Sequence, residues 1–499
     1  MAKKYYITTP IYYANSRLHI GHAYSTIACD VVKKWHTLFG RECFFLTGMD
    51  EHGEKIFLSA KEKNIQPQEW VDRMAEDAKK LWKFLNISYD DFIRTTEPRH
   101  EKTVQYIFKK IAQKGDIYKG VYSGPYCVSC ESYFTEAQVR DAGGNCPDCG
   151  RPITEIKREE AYFFRLSKYQ TKLLKFYEEN PDFLMPKDKA NKTLDTVKSG
   201  LRDLCLTRQN LEWGIPNPLE EGMTIYVWFD ALINYVSAIG YPCNLEKFNE
   251  IWPADCHVVG KEIFHFHTVI WPAMLMALDL ELPKMVFGHG WWTIKSEKMS
   301  KSKGNIITPY EICEKYHPDV LRYFFMREVP FGQDGAFTEQ RISERYTSDL
   351  ANSLGNLFRR VETMCVKYFD GRSPCSGKVN EKFLKKMEKI IQEGEKQILT
   401  LKFSRILEGI WEIIDETNAY IEQEKPWTLK KENPQKLQDV METLLTVLNF
   451  LKDVLYPFLP EKSKEMSQHL GFEISKPQAR NFPFNKKVPG GEVLFPVEK

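Results

Sequence analysis

Apolar residues fall at helical spacing from position 20 onward. Ile20, Ala23, Ile27, Val31, Trp35 and Leu38 share one face, which predicts a helix that Gly40 ends. Residues 4–9 are short, aromatic and β-rich and predict a strand; residues 10–18 carry Pro, Asn and Ser and predict a loop. Residues 43–47 form an apolar run of strand length. Gly48-Met49-Asp50-Glu51-His52-Gly53 then turns the chain into another helical stretch. Strand, helix, strand is the opening of a doubly wound α/β sheet, in which ligands sit at the carboxyl ends of the strands. Both the loop running to His22 and the turn at 50–53 fall at such ends.

The pattern breaks between about residues 116 and 224, a charged stretch with clustered cysteines. It returns with Tyr226-Val227-Trp228-Phe229, with His257-Val258-Val259-Gly260 before a helix, and with Met285-Val286-Phe287-Gly288. An interrupted sheet with an inserted module is the simplest account. Residues 341–470 are dominated by helical periodicity. One run spans about 381–424; another, 437–455, carries Val440, Leu444, Val447, Leu448 and Leu451 and is stopped by Pro457 and Pro460. These predict an all-α helix bundle. The tail, 482–499, is expected to pack back onto the body.

A chain of 499 residues is too long for one core, and two to four domains are expected. The pattern divides it into 1–115 and 225–290 as halves of the sheet domain, 116–224 as the insertion, 291–340 as a connecting region, 341–470 as the helical domain and 471–499 as the tail. Net charge is +2, from 70 basic and 68 acidic side chains. That balance gives no general case for nucleic-acid binding, so basic groups facing RNA must be arranged locally. No apolar run reaches the ~18 residues of a membrane span, and Met1-Ala2-Lys3-Lys4 opens no signal peptide, so a cytoplasmic protein without membrane partners is expected.

Four of the 12 cysteines are clustered, and scattered ones such as Cys29, Cys43 and Cys313 are expected to be small buried hydrophobes. Cys127-Val128-Ser129-Cys130 and Cys146-Pro147-Asp148-Cys149 are two Cys-x-x-Cys hooks with fifteen residues between them. Each hook turns two thiolates toward one point, and two hooks complete a tetrahedral S₄ site for one structural Zn²⁺. Gly143-Gly144 and Gly150 allow the tight turns. A redox pair, the rival account, needs a single hook at a helix start. Four protein ligands leave no open position, so no catalysis is assigned to this metal.

Two further motifs handle phosphate. His19-Ile20-Gly21-His22 lies at the opening turn of the first helix, where free N–H groups and a partial positive charge favour anions. Lys298-Met299-Ser300-Lys301-Ser302, followed by Lys303-Gly304-Asn305, offers charge that can follow departing phosphate. Together they resemble the two signatures of class I aminoacyl-tRNA synthetases. With Tyr12-Tyr13-Ala14-Asn15, the 48–53 turn, Tyr226-Val227-Trp228-Phe229-Asp230-Ala231, Gly260-Lys261-Glu262-Ile263-Phe264-His265-Phe266-His267 and Lys425-Pro426-Trp427, the chain resembles the methionyl-tRNA synthetase family over nearly its whole length. It is similar to the branch with a single four-cysteine zinc knuckle.

The resemblance implies a Rossmann-type parallel sheet interrupted by a zinc-binding insertion, followed by the helical anticodon domain. It implies activation of L-methionine by ATP, taken with Mg²⁺, to methionyl-adenylate, and transfer to the 3′-terminal ribose of tRNA(Met) for translation initiation and elongation. It assigns His19, His22, Lys298 and Lys301 to catalysis, with Lys301 following the β- and γ-phosphates. Gly21, Gly260, Glu262, Met299, Ser300 and Ser302 fall to ATP, Glu262 on the ribose. Asp50 pairs with the substrate ammonium. Pro10, Ile11, Tyr13, Trp228, Ala231, Leu232, Tyr235, Ile263 and His267 form the methionine pocket, and some members carry proline where this chain has Leu232. Asn356 and Arg360, four apart on one helix face, read anticodon bases, and Trp427 stacks on one.

Other readings account for less of the chain. Small nucleotidylyltransferases share the paired-histidine signature but are usually single domains, without zinc insertion or helix bundle. Synthetases for isoleucine, valine and leucine carry a large editing insertion that about 110 residues cannot hold beside a zinc module. A cysteine-specific synthetase uses its zinc to bind substrate, not with four cysteines. A non-enzymatic RNA binder has no physical need of undamaged ATP signatures. Without the additional C-terminal domain of many relatives, a monomer is expected.

Overall fold

The computed structural model describes residues 3–496, apart from 130–131, 135, 148, 154, 210, 295–296, 299–306 and 480–485. The chain divides into two compact units. One comprises Met1–Leu18, Cys43–Leu81 and Tyr89–His289; the other comprises His19–Glu42, Trp82–Ser88 and Gly290–Lys499.

The first unit is built on a seven-stranded sheet in which every pairing is parallel. Tyr5–Thr8 lies between Cys43–Asp50 and Cys256–Gly260; Val286–His289 follows, and Leu184–Met185 closes that edge. Asp91–Arg94 takes the far edge of Cys43–Asp50, while Tyr12–Tyr13 pairs with its last two residues. A parallel sheet is covered on both faces and reads as continuous apolar runs, as Phe45, Leu46, Val258, Val259 and Val286, all fully buried, do here. The strands approach closely at Gly48, where a Cβ would lie 2.0 Å from the Ile93 carbonyl oxygen.

Within the stretch read as an insertion, Ile117–Cys127 and Glu155–Phe164 form a long antiparallel pair, flanked by Ser132–Tyr133 and Leu204–Cys205. That stretch also returns to the main sheet, because Leu184–Met185 pairs with Val286 and Phe287. A two-residue strand carries no periodicity that would announce it. A second difference concerns Tyr226-Val227-Trp228-Phe229, expected to extend the sheet. The strand is Met223–Ile225, and the aromatic run forms the helix Val227–Leu232. A short apolar run buried on most sides reads the same for strand and helix.

In the second unit, Ile20–Leu38 is a helix with fourteen buried residues, among them a buried charge cluster. Asp30 accepts from Lys34 Nζ at 2.6 and 2.5 Å, from Arg322 Nη2 at 2.7 Å and from the Ser88 N–H at 2.8 Å. Arg322 also donates to the carbonyls of Leu85, Pro457 and Phe458. Further on, Trp292–Ile294 pairs with Glu297–Lys298 and Gly335–Ala336. The helices Asn356–Phe369, Glu381–Leu399, Phe403–Glu424, Pro434–Val454 and Pro460–Leu470 follow. The run expected as one helix over 381–424 is thus two, joined at Leu401 with φ of 54°. Leu401 is fully buried and prolongs the apolar stripe, so no Gly or Pro marks the turn. The tail packs back as expected: Leu494 and Phe495 are buried, and the Val488 N–H bonds the Gly371 carbonyl.

Candidate active site and metal centre

The helix Ile20–Leu38 opens on a reciprocal cap made of two imidazoles. His19 is the N-cap; its Nδ1 accepts from the Gly21 N–H at 3.0 Å, and His22 Nδ1 accepts from the His19 N–H at 3.0 Å. A nitrogen that accepts a backbone N–H carries no proton of its own, so each neutral ring bears its proton on Nε2. The rings lie 4.0 Å apart, and no acidic side chain occupies the first turn. The helix start therefore combines its partial positive charge with two oriented imidazole donors.

In the first unit, the turn after Cys43–Asp50 is held from every side. Ala14 donates its N–H to the Asp50 carbonyl at 2.9 Å, Glu51 donates to Thr95 Oγ1 at 2.9 Å, Trp213 Nε1 donates to the Glu51 carbonyl, and Gly53 donates to the Trp213 carbonyl at 3.1 Å. Gly53 adopts φ of 114°, which favours glycine. The Glu51 carboxylate is buried and accepts from Arg94 Nε at 2.7 Å and from Thr96. The strand ends on the half-buried Asp50, beside Tyr13, its neighbour across the sheet.

The remaining residues assigned to methionine lie in the same unit. Pro10, Ala231, Leu232, Tyr235 and His267 are buried, and Ile11, Trp228 and Ile263 half-buried. Trp228 stacks on Phe266 at 3.7 Å. Tyr235 and His267 meet at 2.6 Å through Oη and Nε2, and His267 Nδ1 lies 3.0 Å from the Ile263 carbonyl. A carbonyl only accepts, so Nδ1 carries the proton and Nε2 accepts from the tyrosine. Burial, opposed by the Ile263 carbonyl, lowers the His267 pKa to about 4, and the pair is neutral at physiological pH. His267 sits in a π-helical turn, Phe266–Ile270, before Trp271–Leu278; such turns are frequent at functional sites.

The strand Cys256–Gly260 ends at Gly260, where a Cβ would lie 2.6 Å from Glu262 Oε2, so the carboxylate folds back over the strand end. Lys298 ends the strand Glu297–Lys298. Its side chain, and Met299, Ser300, Lys301 and Ser302, lie outside the described residues. Cys127, Cys146 and Cys149 place their sulfurs within 4.8 Å of one another, and Cys127 and Cys149 are 3.7 Å apart; Cys130 lies outside the described residues. Two thiolates on a tetrahedral ion with ~2.3 Å bonds sit about 3.8 Å apart, the spacing of the Cys127–Cys149 pair, and the three sulfurs together could hold a metal ion. Gly143, Gly144 and Gly150 all have positive φ.

In the second unit, Asn356 is exposed at the start of Asn356–Phe369, and Arg360 donates to Glu422. Trp427 is 46% exposed on a short helix whose Pro426 and Leu429 are buried, so the ring is not a core residue. A further set of contacts received no role from the sequence. Asp230, fully buried, meets His52 Nδ1 at 2.7 Å and His100 Nε2 at 2.6 Å. A lone acid in the apolar run 227–232 was the available signal.

Comparison with known proteins covers both units. Residues 5–362 match the family described as tRNA synthetases class I (M), and residues 372–494 match the anticodon binding domain of methionyl tRNA ligase. The chain is 48% identical to the methionine–tRNA ligase of Caldanaerobacter subterraneus subsp. tengcongensis, covering 100% of this chain and 80% of the relative. It is 45% identical to that of Thermotoga maritima, covering 98% and 79%. Among solved structures, Mycobacterium tuberculosis methionyl-tRNA synthetase in complex with methionyl-adenylate matches with a TM-score of 0.95 at 35% identity, over 99% of this chain and 100% of that one.

Proposed function

This chain belongs to the class I methionyl-tRNA synthetases, and from that we propose which of its residues carry each part of the reaction. It is a methionine–tRNA ligase: it activates methionine with ATP and charges tRNA(Met). The intermediate is methionyl-adenylate, the compound bound in the Mycobacterium tuberculosis relative. The methionine carboxylate attacks the α-phosphate and expels pyrophosphate, and the terminal ribose of tRNA then takes the methionyl group. Positioning and charge stabilisation supply most of the rate.

His19 and His22 donate their Nε2 protons to ATP phosphate oxygens as charge develops there. Lys301, supported by Lys298, follows the β- and γ-phosphates. Gly21, Gly260, Met299, Ser300 and Ser302 line the nucleotide, which enters with Mg²⁺, and Glu262 takes the ribose. Asp50 pairs with the substrate ammonium. Pro10, Ile11, Tyr13, Trp228, Ala231, Leu232, Tyr235, Ile263 and His267 surround the side chain. The observation that carries this reading is the neutral Tyr235–His267 pair among apolar lining residues. An uncharged, weakly accepting thioether suits such a pocket, and a charged side chain does not.

Cys127, Cys130, Cys146 and Cys149 hold one structural zinc. Among the described residues, the module's own core is Cys127, Phe134 and Cys146, with Val139 and Ile153 against it. A core that small needs an added cross-link, which a bound metal supplies. Asn356 and Arg360 read anticodon bases and Trp427 stacks on one, serving both initiator and elongator tRNA. The enzyme works in the cytoplasm, with its tRNA. Charging of a tRNA(Met) transcript with labelled methionine tests the whole: methionyl-tRNA should form only with ATP present. Adenylation of another acceptor, with no tRNA charged, would favour the nucleotidylyltransferase reading.

A further inference from the structure

Asp230 sits at the centre of a buried polar chain that none of these roles uses. Its two carboxylate oxygens meet two imidazoles, Oδ2 meeting His52 Nδ1 at 2.7 Å and Oδ1 meeting His100 Nε2 at 2.6 Å. His100 Nδ1 continues to Ser237 Oγ at 2.8 Å. On its far side, His52 Nε2 lies 4.0 Å from Glu101 Oε1. His52, His100, Asp230 and Ser237 are all buried.

His52, Asp230 and His100 come from three separate elements. His52 belongs to the turn that follows Asp50. Asp230 belongs to Val227–Leu232, the helix that also carries Trp228, Ala231 and Leu232. His100 belongs to Pro98–Gln113. Burial opposes protonation of His52, but the charge and hydrogen bond of Asp230, helped by Glu101 and Glu51, outweigh it and raise its pKa. Burial likewise opposes ionisation of Asp230, and the two histidines outweigh it. A buried ion pair is no better for stability than apolar packing of the same volume. Separating the partners while they stay buried would leave a charge with neither water nor a counter-charge, and that cost opposes other arrangements.

We propose that His52, Asp230 and His100 are positioning residues for methionine selection, fixing the span between the carboxylate that takes the ammonium and the helix that lines the side-chain pocket. The proposal rests on the roles given above to Asp50 and Trp228. An amino acid anchored at its ammonium is measured by how far its side chain reaches, so the span sets the length the pocket accepts. A rigid pocket discriminates one methylene by about 10–200-fold, and a loosened span reduces that factor.

The test is ATP–pyrophosphate exchange with methionine and with ethionine, one methylene longer. Asp230→Asn and His52→Ala should raise the methionine KM about tenfold, leave kcat within about threefold and the ATP KM unchanged, and lower the methionine-to-ethionine preference at least threefold. His52→Asn places an amide nitrogen near the position of Nδ1 and should restore most of the affinity and the preference. Ser237→Ala, a minimal change at the chain's end, should show the same pattern more weakly, and it carries the test where larger removals fail to fold. A folded His52→Ala or Ser237→Ala with unchanged methionine KM and unchanged preference overturns the proposal. So does a parallel loss in both KM values and kcat without rescue by His52→Asn. Asp50→Asn, measured alongside, separates the two levels. If it leaves the methionine KM unchanged, the ammonium assignment fails; if it raises that KM while the network variants do nothing, only the network's role fails.

Discussion

Replacing Asp30 by asparagine should loosen the helix that His19 caps, by an amount set by the cluster around it. The carboxylate is fully buried and serves Lys34, Arg322 and Ser88 at 2.5–2.9 Å. Asparagine keeps the volume and removes the charge, leaving two buried cations. Arg322 retains three backbone carbonyls, whereas among the described residues Lys34 retains only the Asn86 carbonyl and the Ser88 hydroxyl. Removing one partner of a buried pair costs about 3–5 kcal/mol, mostly as the penalty on the stranded charge. At ~1.4 kcal/mol per tenfold this is roughly 100- to 4,000-fold faster amide exchange across residues 20–38, read by deuterium exchange and mass spectrometry. The sign with pH follows from Lys34. Burial, opposed by the Asp30 charge, lowers its pKa to about 8; the unfolded value is ~10.4. Between those values the unfolded chain binds more protons, so stability contributed by this group rises with pH. Asparagine at position 30 removes the group that holds the Lys34 proton, so the gain sets in at lower pH and the gap to the parent narrows from pH 7 to pH 9. Adding Lys34→Met to Asp30→Asn should recover most of the loss at pH 7. A loss below about 1 kcal/mol, or a double variant no better than Asp30→Asn alone, would refute the reasoning.

Trp427→Ala should lower tRNA charging efficiency about 5- to 150-fold, the worth of ~1–3 kcal/mol of stacking, while ATP–pyrophosphate exchange stays almost unchanged; an equal fall in both, with a lower melting temperature, would make the ring structural. Cys146→Ser should lose the zinc, since a serine hydroxyl stays protonated at neutral pH; elemental analysis should find one zinc per chain in the parent, and a metal-free parent would refute the assignment. Lys301→Ala should slow adenylate formation roughly a hundredfold, ~3 kcal/mol of transition-state stabilisation, with methionine affinity nearly intact; an unchanged stopped-flow rate removes Lys301 from the mechanism.

Elements whose apolar spacing matches a single period were legible in the sequence. The helix Ile20–Leu38, the strand ending at Gly260 and the helix Pro434–Val454 are of this kind, whereas the strand begun at Cys43 runs past Thr47 to Asp50, into residues read as a turn. Two kinds of feature escaped. One is local form inside uniformly apolar sequence: Val227–Leu232 is a helix, and Leu401 turns the chain while keeping the stripe intact. The other is side-chain chemistry between distant positions. His52 and Asp230 are 178 residues apart, and nothing in either neighbourhood names the other. The paired-histidine cap was visible as a motif, but not that each Nδ1 is spent on a backbone N–H, which leaves Nε2 to donate. Trp427 taken alone reads as a core aromatic, yet it is 46% exposed while Pro426 and Leu429 beside it are buried.

ATP–pyrophosphate exchange with each of the twenty amino acids tests the central claim most directly, because it needs neither tRNA nor any assumption about the helical domain. The pocket proposed above, neutral and apolar with Tyr235 and His267 against the side chain and Asp50 on the ammonium, predicts that methionine drives exchange. It predicts that leucine, isoleucine and valine do so at least tenfold less well, the lower end of what small apolar differences allow. Exchange driven by leucine or valine and not by methionine would contradict the account.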